Sequence, residues 1–548
     1  MAECRKELLL ERELTVPSSV ISLTSNRVIF YVCTQEVQAG DGLINKVPEG
    51  TKDLSDIIGG LGRWQLIVFC LVMMMSFLGA FHTLSYQFLF PPQDHWCASP
   101  YPQVDEGTWR NYGVPNTTEG PSQCTMYDPG NLTWDQYITE ASSRPQVPCK
   151  SWYYDSTVYG RSIISEFNLV CHQASLTSLS QTIFMLGFML AVFFTGQVSD
   201  TYGRRPTILI CICILLLGSL IGPLAVNISM IMASRFFIGF GISGTNTVIF
   251  VVLAEAVSSK YRDILCVGNY YAWSLGYMLI PLFAWIFKDW VHLQALLTAC
   301  TGLSILMFFL LPESPRWLLA RGRAARAHDS ITAICKRNKI YNEDKKAEID
   351  DLIAAHCKPT DLEKQDLERP SGTFFDQFRT PNLRKRSLNL YFTWLVAAFV
   401  YYGLSYQADR LGGDPYVNVF LSGLVEVPAY TFCIFGLKKI GRRVSTSTEL
   451  LVGGAACFIT LLIPSSLYWL KITLAMIGKL FITACFASIY VYTTELYPTV
   501  IRNVGLGTAS IFARIGSMVA PFANQLTHDW FESFGQYFIK ANDWFESA

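Results

Sequence analysis

Long apolar stretches alternate with polar segments of varied length between Trp64 and Leu526. A helix needs about 20 predominantly apolar residues to cross a bilayer core of about 30 Å, and these stretches reach that length. They lack the alternation of apolar and polar residues that is typical of strands, so helices must satisfy the backbone hydrogen bonds in lipid. The pattern predicts eleven spans: about Trp64–Ser85, Ala174–Gly196, Pro206–Val226, Met230–Leu253, Ile264–Phe287, Val291–Leu311, Ser387–Tyr406, Pro415–Leu437, Glu449–Leu467, Lys471–Tyr492 and Val504–Leu526.

The predicted fold class is an all-α polytopic membrane protein whose solvent is the lipid bilayer. Composition agrees, because 51% of the 548 residues are hydrophobic and 16% are charged, against roughly 25% charged residues in soluble domains. The 43 Lys and Arg residues balance 43 Asp and Glu residues. No net charge therefore indicates a nucleic-acid partner.

The polar segments between the spans predict which side of the membrane each one faces. Residues 1–63 carry no cleavable signal pattern, and we expect a cytosolic amino terminus. The loop 86–173 holds four cysteines and two Asn-x-Thr patterns, at Asn116 and Asn131, which favour an extracellular, glycosylated and disulfide-bonded loop. Its spacing leaves all three pairings open among Cys97, Cys124, Cys149 and Cys171.

Basic residues cluster in the loops on the opposite side, which the positive-inside rule makes cytosolic. On that side a charged segment, 312–386, contains a helical-looking stretch at Arg323–Lys336 and separates residues 64–311 from residues 387–526. We interpret it as a cytosolic linker. The tail 527–548 is too polar to span, so we expect a twelfth helix to be missing.

Two loop motifs each occur twice in the chain, and the distance between the two copies is nearly the same for both motifs. Gly203-Arg204-Arg205 returns 238 residues later as Gly441-Arg442-Arg443, and Glu255 with Arg262 returns 240 residues later as Glu495 with Arg502. Halves related by a parallel repeat, with a binding site between them near the midplane, are typical of secondary transporters.

These motifs resemble the major facilitator superfamily, in the stretches Gly196-Gln-Val-Ser-Asp200-Thr-Tyr-Gly203-Arg204-Arg205 and Arg235-x-x-x-Gly239. The large cysteine-bearing loop, Glu426-Val-Pro-Ala-Tyr430 and Thr494-Glu-Leu-Tyr-Pro-Thr-Val-Ile-Arg-Asn503 resemble the organic cation, anion and zwitterion transporter family in particular. The resemblance implies two six-helix halves and transport by alternating access in the plasma membrane.

The repeated loops and Arg235 carry the predicted gating function, because their charges pair with each other and with helix ends when the cytosolic side closes. Lys438 replaces Asp200 in the second copy, which argues against two symmetrical pairs of contacts. The predicted gating residues are Gly196, Asp200, Gly203, Arg204, Arg205, Arg235, Glu255, Arg262, Gly441, Arg442, Arg443, Glu495 and Arg502.

Three ionisable residues at membrane depth, where charges are costly, are candidates for substrate contact: Glu426, Lys479 and Arg514. The family resemblance implies an anion- or zwitterion-type site, because members that carry cations tend to have Asp where this chain has Arg514. Glu426 either holds a substrate ammonium group or forms a structural pair with Lys479 or Arg514.

Aromatic residues are the other candidates for the cavity lining, because ring faces attract ammonium groups. Tyr270, Trp273 and Tyr277 follow i, i+3, i+7 spacing and so share one helix face. Tyr402, next to Tyr401, adds a further ring. All of these rings have packing between helices as an alternative role.

The sequence has no phosphate-binding loop, catalytic triad or metal-ligand spacing, so we expect neither an enzyme nor a cofactor. We predict a transporter of small organic ions, either organic cations or carnitine-like zwitterions, whose partners are that substrate and the bilayer; ion coupling is left open. An organic anion transporter of the same fold, or a membrane sensor that does not transport, is the alternative.

Overall fold

The structure, a computed structural model of the chain, describes residues 54–117, 120–140, 144–357, 374–498 and 501–523. Eleven helices in these residues form one bundle, and each overlaps a predicted span. They are α1 (Arg63–Leu84), α2 (Ser175–Tyr202), α3 (Arg204–Ile221), α4 (Ile228–Ala256), α5 (Ser259–Ile286), α6 (Trp290–Gly302), α7 (Pro381–Tyr406), α8 (Pro415–Lys439), α9 (Arg442–Leu461), α10 (Tyr468–Leu496) and α11 (Arg502–Val519). Residues 1–53 and the tail 527–548 lie outside the described residues.

Nine helical segments in the described residues are long and apolar enough to cross a membrane. They contain all of the bundle helices except α5 and α9. Those two open with charged and polar residues, and α9 begins Arg442-Arg443-Val-Ser-Thr-Ser-Thr-Glu449. They nevertheless extend over 28 and 20 residues and pack within the same bundle.

Capping side chains set where several of these helices begin. Asn227 accepts the Met230 amide at 2.8 Å ahead of α4, and Asp414 accepts the Tyr416 amide at 2.8 Å ahead of α8. Each cap satisfies an amide that has no partner within its own helix. Asn227 also begins an Asn-x-Ser pattern of the kind that is glycosylated, but its side chain is engaged in capping α4.

The packing repeats between the two halves, as the loop motifs predict. In the first half α4 packs against α2 and α3, and α1 packs against α5; in the second half α10 packs against α8 and α9, and α7 packs against α11. Between the halves, α5 packs against α8 and α2 packs against α11. Each of these contacts within the first half therefore has its counterpart in the second.

The segment between α1 and α2 forms a small domain, here called the loop domain. Its antiparallel pairs are β1 (His95–Cys97) with β6 (Trp152–Tyr154), β2 (Asn116–Thr117) with β3 (Gly120–Pro121), and β4 (Thr125–Tyr127) with β5 (Gln146–Pro148). Helices occupy Glu106–Gly113, Trp134–Glu140 and Ile163–Phe167. Trp96, Trp109 and Tyr137 form a core separate from that of the bundle.

Two disulfides close this domain and resolve the pairing that the sequence left open. Cys97 bonds to Cys149 and Cys124 bonds to Cys171. The second bond reaches the 3₁₀ turn Cys171–Gln173 directly before α2, so it ties the domain to the bundle. These four are the cysteines predicted from the sequence as disulfide candidates.

The linker lies at the opposite end of the bundle and packs mainly on the first half. Its helices are Pro315–Ala320, Ala324–Arg337 and Glu343–Cys357, the second of which confirms the stretch predicted at Arg323–Lys336. Asn338 accepts the Trp64 amide at 2.8 Å and donates to the Ile58 carbonyl at 2.7 Å. Residues 312–357 and 374–380 mark the end of the bundle here called the linker end, and the loop domain marks the opposite, loop-domain end.

Side chains join the two halves at the loop-domain end. The Ser178 hydroxyl donates to the Pro521 carbonyl at 3.0 Å, and the Gln181 amide donates to the Tyr406 hydroxyl at 2.6 Å. The Tyr416 hydroxyl donates to the Val158 carbonyl of the loop domain at 3.2 Å. The interface between the halves is therefore closed at this end.

A buried acid lies at the same end, in the 3₁₀ turn Ala408–Arg410 between α7 and α8. Asp409 is 8% exposed, and its Oδ1 has no hydrogen-bond partner in the described part of the chain. Burial raises the pKa of Asp409 to about 7, although neighbouring Arg410 opposes the shift. The folded state therefore holds a proton that the unfolded chain releases at about pH 3.9.

We expect Asp409→Asn to stabilise the protein progressively as the pH rises. A raised carboxyl pKa costs the folded state up to about 1.4 kcal/mol per pH unit between the unfolded and folded values, and the amide removes that cost. Thermal unfolding of the detergent-solubilised protein at pH 5 and pH 8 measures it. Asp135→Asn, at an exposed position of the loop domain, is the control; equal effects of both substitutions at both pH values would contradict the expectation.

Candidate functional site

A buried ion pair lies at the centre of the second half. Glu426 on α8 and Lys479 on α10 approach to 3.0 Å, and both are almost fully buried. The Tyr401 hydroxyl donates to Glu426 Oε1 at 2.6 Å, and Lys479 Nζ donates to the Ser405 hydroxyl at 2.5 Å. Of the alternatives for Glu426, the structure therefore shows the pair with Lys479.

Aromatic rings from both halves surround this pair. Lys479 Nζ lies 3.5 Å from the ring centroid of Tyr401 and 5.3 Å from that of Tyr277. The Trp273 indole donates to the Tyr401 hydroxyl at 3.2 Å, and the Tyr270 ring stacks on Tyr430 at 5.0 Å between centroids. Tyr270, Trp273 and Tyr277 therefore share the face of α5 that meets the second half, as their spacing predicts.

Arg514 on α11 lies apart from that pair, where α11 meets α2 of the first half. Its guanidinium carbon lies 4.3 Å from the ring centroid of Phe188, and the Tyr402 side chain is a close neighbour. The side chain is half-buried, and its Nε has no hydrogen-bond partner within the described ranges. No carboxylate oxygen of a described residue lies within 4 Å of the guanidinium.

The charges of this region therefore do not cancel. Glu426 and Lys479 neutralise each other, whereas Arg514 keeps a positive charge between the halves. An unpaired charge at this depth is costly in a medium of low dielectric constant. A guanidinium binds a carboxylate through two parallel hydrogen bonds, so an anionic group of a substrate suits this position.

The first loop motif forms a charged cluster at the linker end. Arg204 bonds Asp200 at 2.6 Å and Glu255 at 2.9 Å, and its backbone amide donates to Glu313 at 2.8 Å. Gly203 has φ of +118°, a left-handed conformation that favours glycine. The Trp317 indole donates to the Asp200 carbonyl at 2.8 Å, so the linker packs against this turn.

The second loop repeats part of that geometry. Arg442 bonds Glu495 at 2.9 Å, which matches the pair of Arg204 with Glu255, and Gly441 has φ of +93°. The side chain of Lys438, in the place of Asp200, lies outside the described residues. The sequence predicts that these pairs form when the cytosolic side closes, and in this structure they coexist with contacts that join the halves at the loop-domain end.

The other predicted gating residues make more local contacts. The Arg205 guanidinium donates to the Phe308 carbonyl at 3.0 Å, and that of Arg502 donates to the Tyr497 carbonyl at 3.4 Å. A Cβ at Gly196 would meet open space, and Arg443 is exposed. The Arg262 side chain lies outside the described residues.

Arg235 belongs to a hydrogen-bonded chain that crosses between the halves. It donates to the His82 carbonyl at 3.0 Å and to Gln181 Oε1, and Gln181 in turn donates to the Tyr406 hydroxyl. Its guanidinium carbon lies 4.7 Å from the Phe184 ring centroid. These contacts of Arg235 favour a role in packing and gating, in agreement with the gating role predicted from the sequence.

Sequence reasoning missed several residues of this region. Ser405 follows Tyr401 by four positions and so shares its helix face, a spacing that could have identified the partner of Lys479. Gln181 and Tyr406 lie in different halves and give no sequence signal. Phe188 belongs to an apolar run in which no ring stands out.

Comparisons with known proteins agree with this architecture. Residues 107–542 match the sequence profile of the family described as sugar (and other) transporter. The chain is 34% identical over 494 residues to the organic cation transporter protein of Drosophila melanogaster, covering 88% of each chain. It is 31% identical over 490 residues to the human organic cation/carnitine transporter 2, covering 86% of each.

The fold also matches solved structures. A partially occluded, inward-open structure of the xylose transporter XylE from E. coli superposes with a TM-score of 0.51 at 13% identity, covering 84% of this chain and 92% of that one. This likeness supports the fold alone. The predictions of the fold class and of a transmembrane transporter are confirmed: the chain belongs to the organic cation and carnitine transporter family of the major facilitator superfamily.

Proposed function

We propose that this transporter carries small organic ions that bear a carboxylate, carnitine-like zwitterions foremost, by alternating access between its two halves. The observation that carries this proposal is the charge of Arg514, which no described carboxylate neutralises, beside a Glu426 already neutralised by Lys479. The human relative named as an organic cation/carnitine transporter supports the same substrate class.

In this proposal the two ends of the substrate bind to different groups. The carboxylate binds the guanidinium of Arg514, while a quaternary ammonium group lies against ring faces such as those of Tyr402 and Trp273. Tyr270 and Tyr277 shape the same surface, and Glu426 and Lys479 hold Tyr401 in place. An organic anion is the second candidate substrate, because it needs only the guanidinium of Arg514 and no ring faces for an ammonium group.

Alternating access requires the halves to separate at one end and close at the other. The contacts of Gln181 with Tyr406 and of Ser178 with Pro521 support a state closed at the loop-domain end. We assign gating to these contacts and to Arg235. The pairs of Arg204 with Glu255 and of Arg442 with Glu495 keep the linker ends of each half together while the halves rock.

The proposed location is the plasma membrane, with the loop-domain end outside and the amino terminus in the cytosol. The two disulfides of the loop domain support an oxidising compartment for that end. Asn116 and Asn131 are exposed on this domain, where a glycosylating enzyme reaches them. The proposed units are residues 1–63, the first half 64–311 with its external loop 86–173, the linker 312–386 and the second half 387–526.

We expect Glu426→Gln to destabilise the protein by about 3–5 kcal/mol, because it leaves Lys479 buried without a counter-charge. The double variant Glu426→Gln/Lys479→Met should recover much of that loss, and thermal unfolding in detergent measures both. Glu449→Gln is the matched control, because Glu449 is a buried acid of the same half that bonds the Ser445 hydroxyl at 2.8 Å. A double variant no more stable than the single one would contradict the pairing.

We expect Arg514→Asp to lower uptake of zwitterions at least tenfold at equal surface abundance, while simple cations are retained or improved. The exchange turns attraction of a carboxylate into repulsion, a difference in free energy larger than the 1.4 kcal/mol that equals about tenfold in affinity. Radiolabelled carnitine, tetraethylammonium and benzoate, tested in the same cells, give the substrate ranking.

Arg384→Gln, which removes an exposed arginine at the start of α7, is the control for that experiment and should leave the ranking unchanged. Arg514→Lys keeps the positive charge but cannot form two parallel hydrogen bonds with a carboxylate, so it should show an intermediate loss of zwitterion uptake. If the ranking is the same before and after Arg514→Asp, Arg514 is a packing residue and the proposed substrate class is wrong.

Glycosidase treatment of the expressed protein should increase its mobility on a gel, and the double variant Asn116→Gln/Asn131→Gln should abolish that shift. Asn227→Gln should retain the shift, because Asn227 caps α4. Non-permeant thiol reagents should label the four loop-domain cysteines only after reduction. Unchanged mobility, with no labelling of these cysteines in intact cells even after reduction, would contradict the proposed orientation.

A further inference from the structure

A cavity of about 370 Å³ lies at the loop-domain end, apart from the central ion pair. Its volume is within the range of about 300–1,000 Å³ that is typical of small-molecule sites. Arg410, on its wall, precedes α8, and Glu426 lies 11 residues into that helix. At 1.5 Å per residue, Glu426 lies about 16 Å along α8 from the start of that helix. The cavity is therefore apart from the central ion pair, while Tyr406 on its wall packs against Tyr402 of the proposed substrate site at 5.7 Å between ring centroids.

Three parts of the molecule build the wall of this cavity. Tyr86 and Ser178 belong to the first half, Tyr406 and Arg410 to the second half, and His95 to the loop domain. The disulfide between Cys124 and Cys171 is also part of the wall. A molecule bound here contacts both halves and the loop domain together.

The lining combines the cation Arg410 with aromatic surface, and it includes one exposed acid, Asp94 of the loop domain. Arg410 is exposed, and no carboxylate of the described chain lies within 4 Å of its guanidinium. The rings of Tyr86 and Tyr406 meet edge to face at 5.4 Å between centroids and provide apolar area. These groups suit a small organic carboxylate with an aromatic or aliphatic body.

His95 adds a further polar group to the wall. Its Nδ1 lies 2.9 Å from the Gln93 carbonyl, so this nitrogen carries the proton of the neutral ring and Nε2 is left as an acceptor. Burial lowers the pKa of His95, which favours the neutral form. The cavity thus offers Arg410 for the carboxylate and an acceptor for a hydroxyl or amide of the same ligand.

We infer that this cavity is an inhibitory site for small amphipathic organic carboxylates that enter from the loop-domain side. The halves must part at this end for the transporter to open there, which separates Tyr86 and Ser178 from Tyr406 and Arg410. A ligand that needs all of these walls binds the closed state more tightly and shifts the equilibrium towards it. Because the ligand holds the transporter closed and does not occupy the guanidinium of Arg514, the inhibition lowers maximal uptake.

The test begins with binding to the purified full-length protein, so it does not depend on which substrate is carried. 4-Phenylbutanoate is the probe, and the uncharged 4-phenylbutanol is its matched analogue. The acid should raise the unfolding temperature and the alcohol should not. Arg410→Gln should weaken binding of the acid at least tenfold, whereas Lys150→Gln, which removes an exposed cation outside the cavity wall, should leave it unchanged.

Uptake in cells supplies the second measurement. 4-Phenylbutanoate should reduce maximal uptake in the wild type and in Lys150→Gln but not in Arg410→Gln, whose uptake without the probe should be normal. Gln407→Trp fills the cavity without removing a charge and should also abolish binding, so the test survives if Arg410→Gln fails to fold. Purely competitive inhibition, equal binding of acid and alcohol, or binding unaffected by either cavity variant would overturn the inference.

Discussion

The low dielectric constant of the bilayer is the constraint on which this structure depends, and the pair of Glu426 with Lys479 is its clearest result. Neither charge is tolerable alone at this depth, so α8 and α10 must approach closely enough to join them at 3.0 Å. Tyr401 and Ser405 complete the hydrogen bonds of the pair and bring α7 to the same point. Three helices of the second half are therefore fixed by one electrostatic requirement.

The halves share a packing plan but differ in where they hold charge. Each half has an arginine paired with a glutamate at the linker end, beside a glycine of positive φ. At membrane depth the first half holds Arg235 within a network of neutral acceptors, while the second half holds Glu426, Lys479 and Arg514. The repeated pairs maintain the fold, and the unrepeated charges distinguish the site.

The sequence predicted the helices well because a bilayer imposes a length and a polarity that a single stretch reveals on its own. It also predicted the shared face of Tyr270, Trp273 and Tyr277, because helical periodicity is local. The partner of Glu426, the disulfide pairing and the contact of Gln181 with Tyr406 were not predictable, because each depends on how distant segments pack. The short strands of the loop domain lacked a clear alternating pattern.

In the proposed mechanism, the location of Arg514 links substrate binding to movement. Its guanidinium belongs to the second half, yet its described ring contact is Phe188 of the first half, so the arginine is itself part of the interface that must rearrange. A bound carboxylate neutralises the arginine and weakens the attraction of its charge for the Phe188 ring. Because a ligand shifts an equilibrium only by its different affinities for the two states, a group shared between the halves gives the substrate that difference.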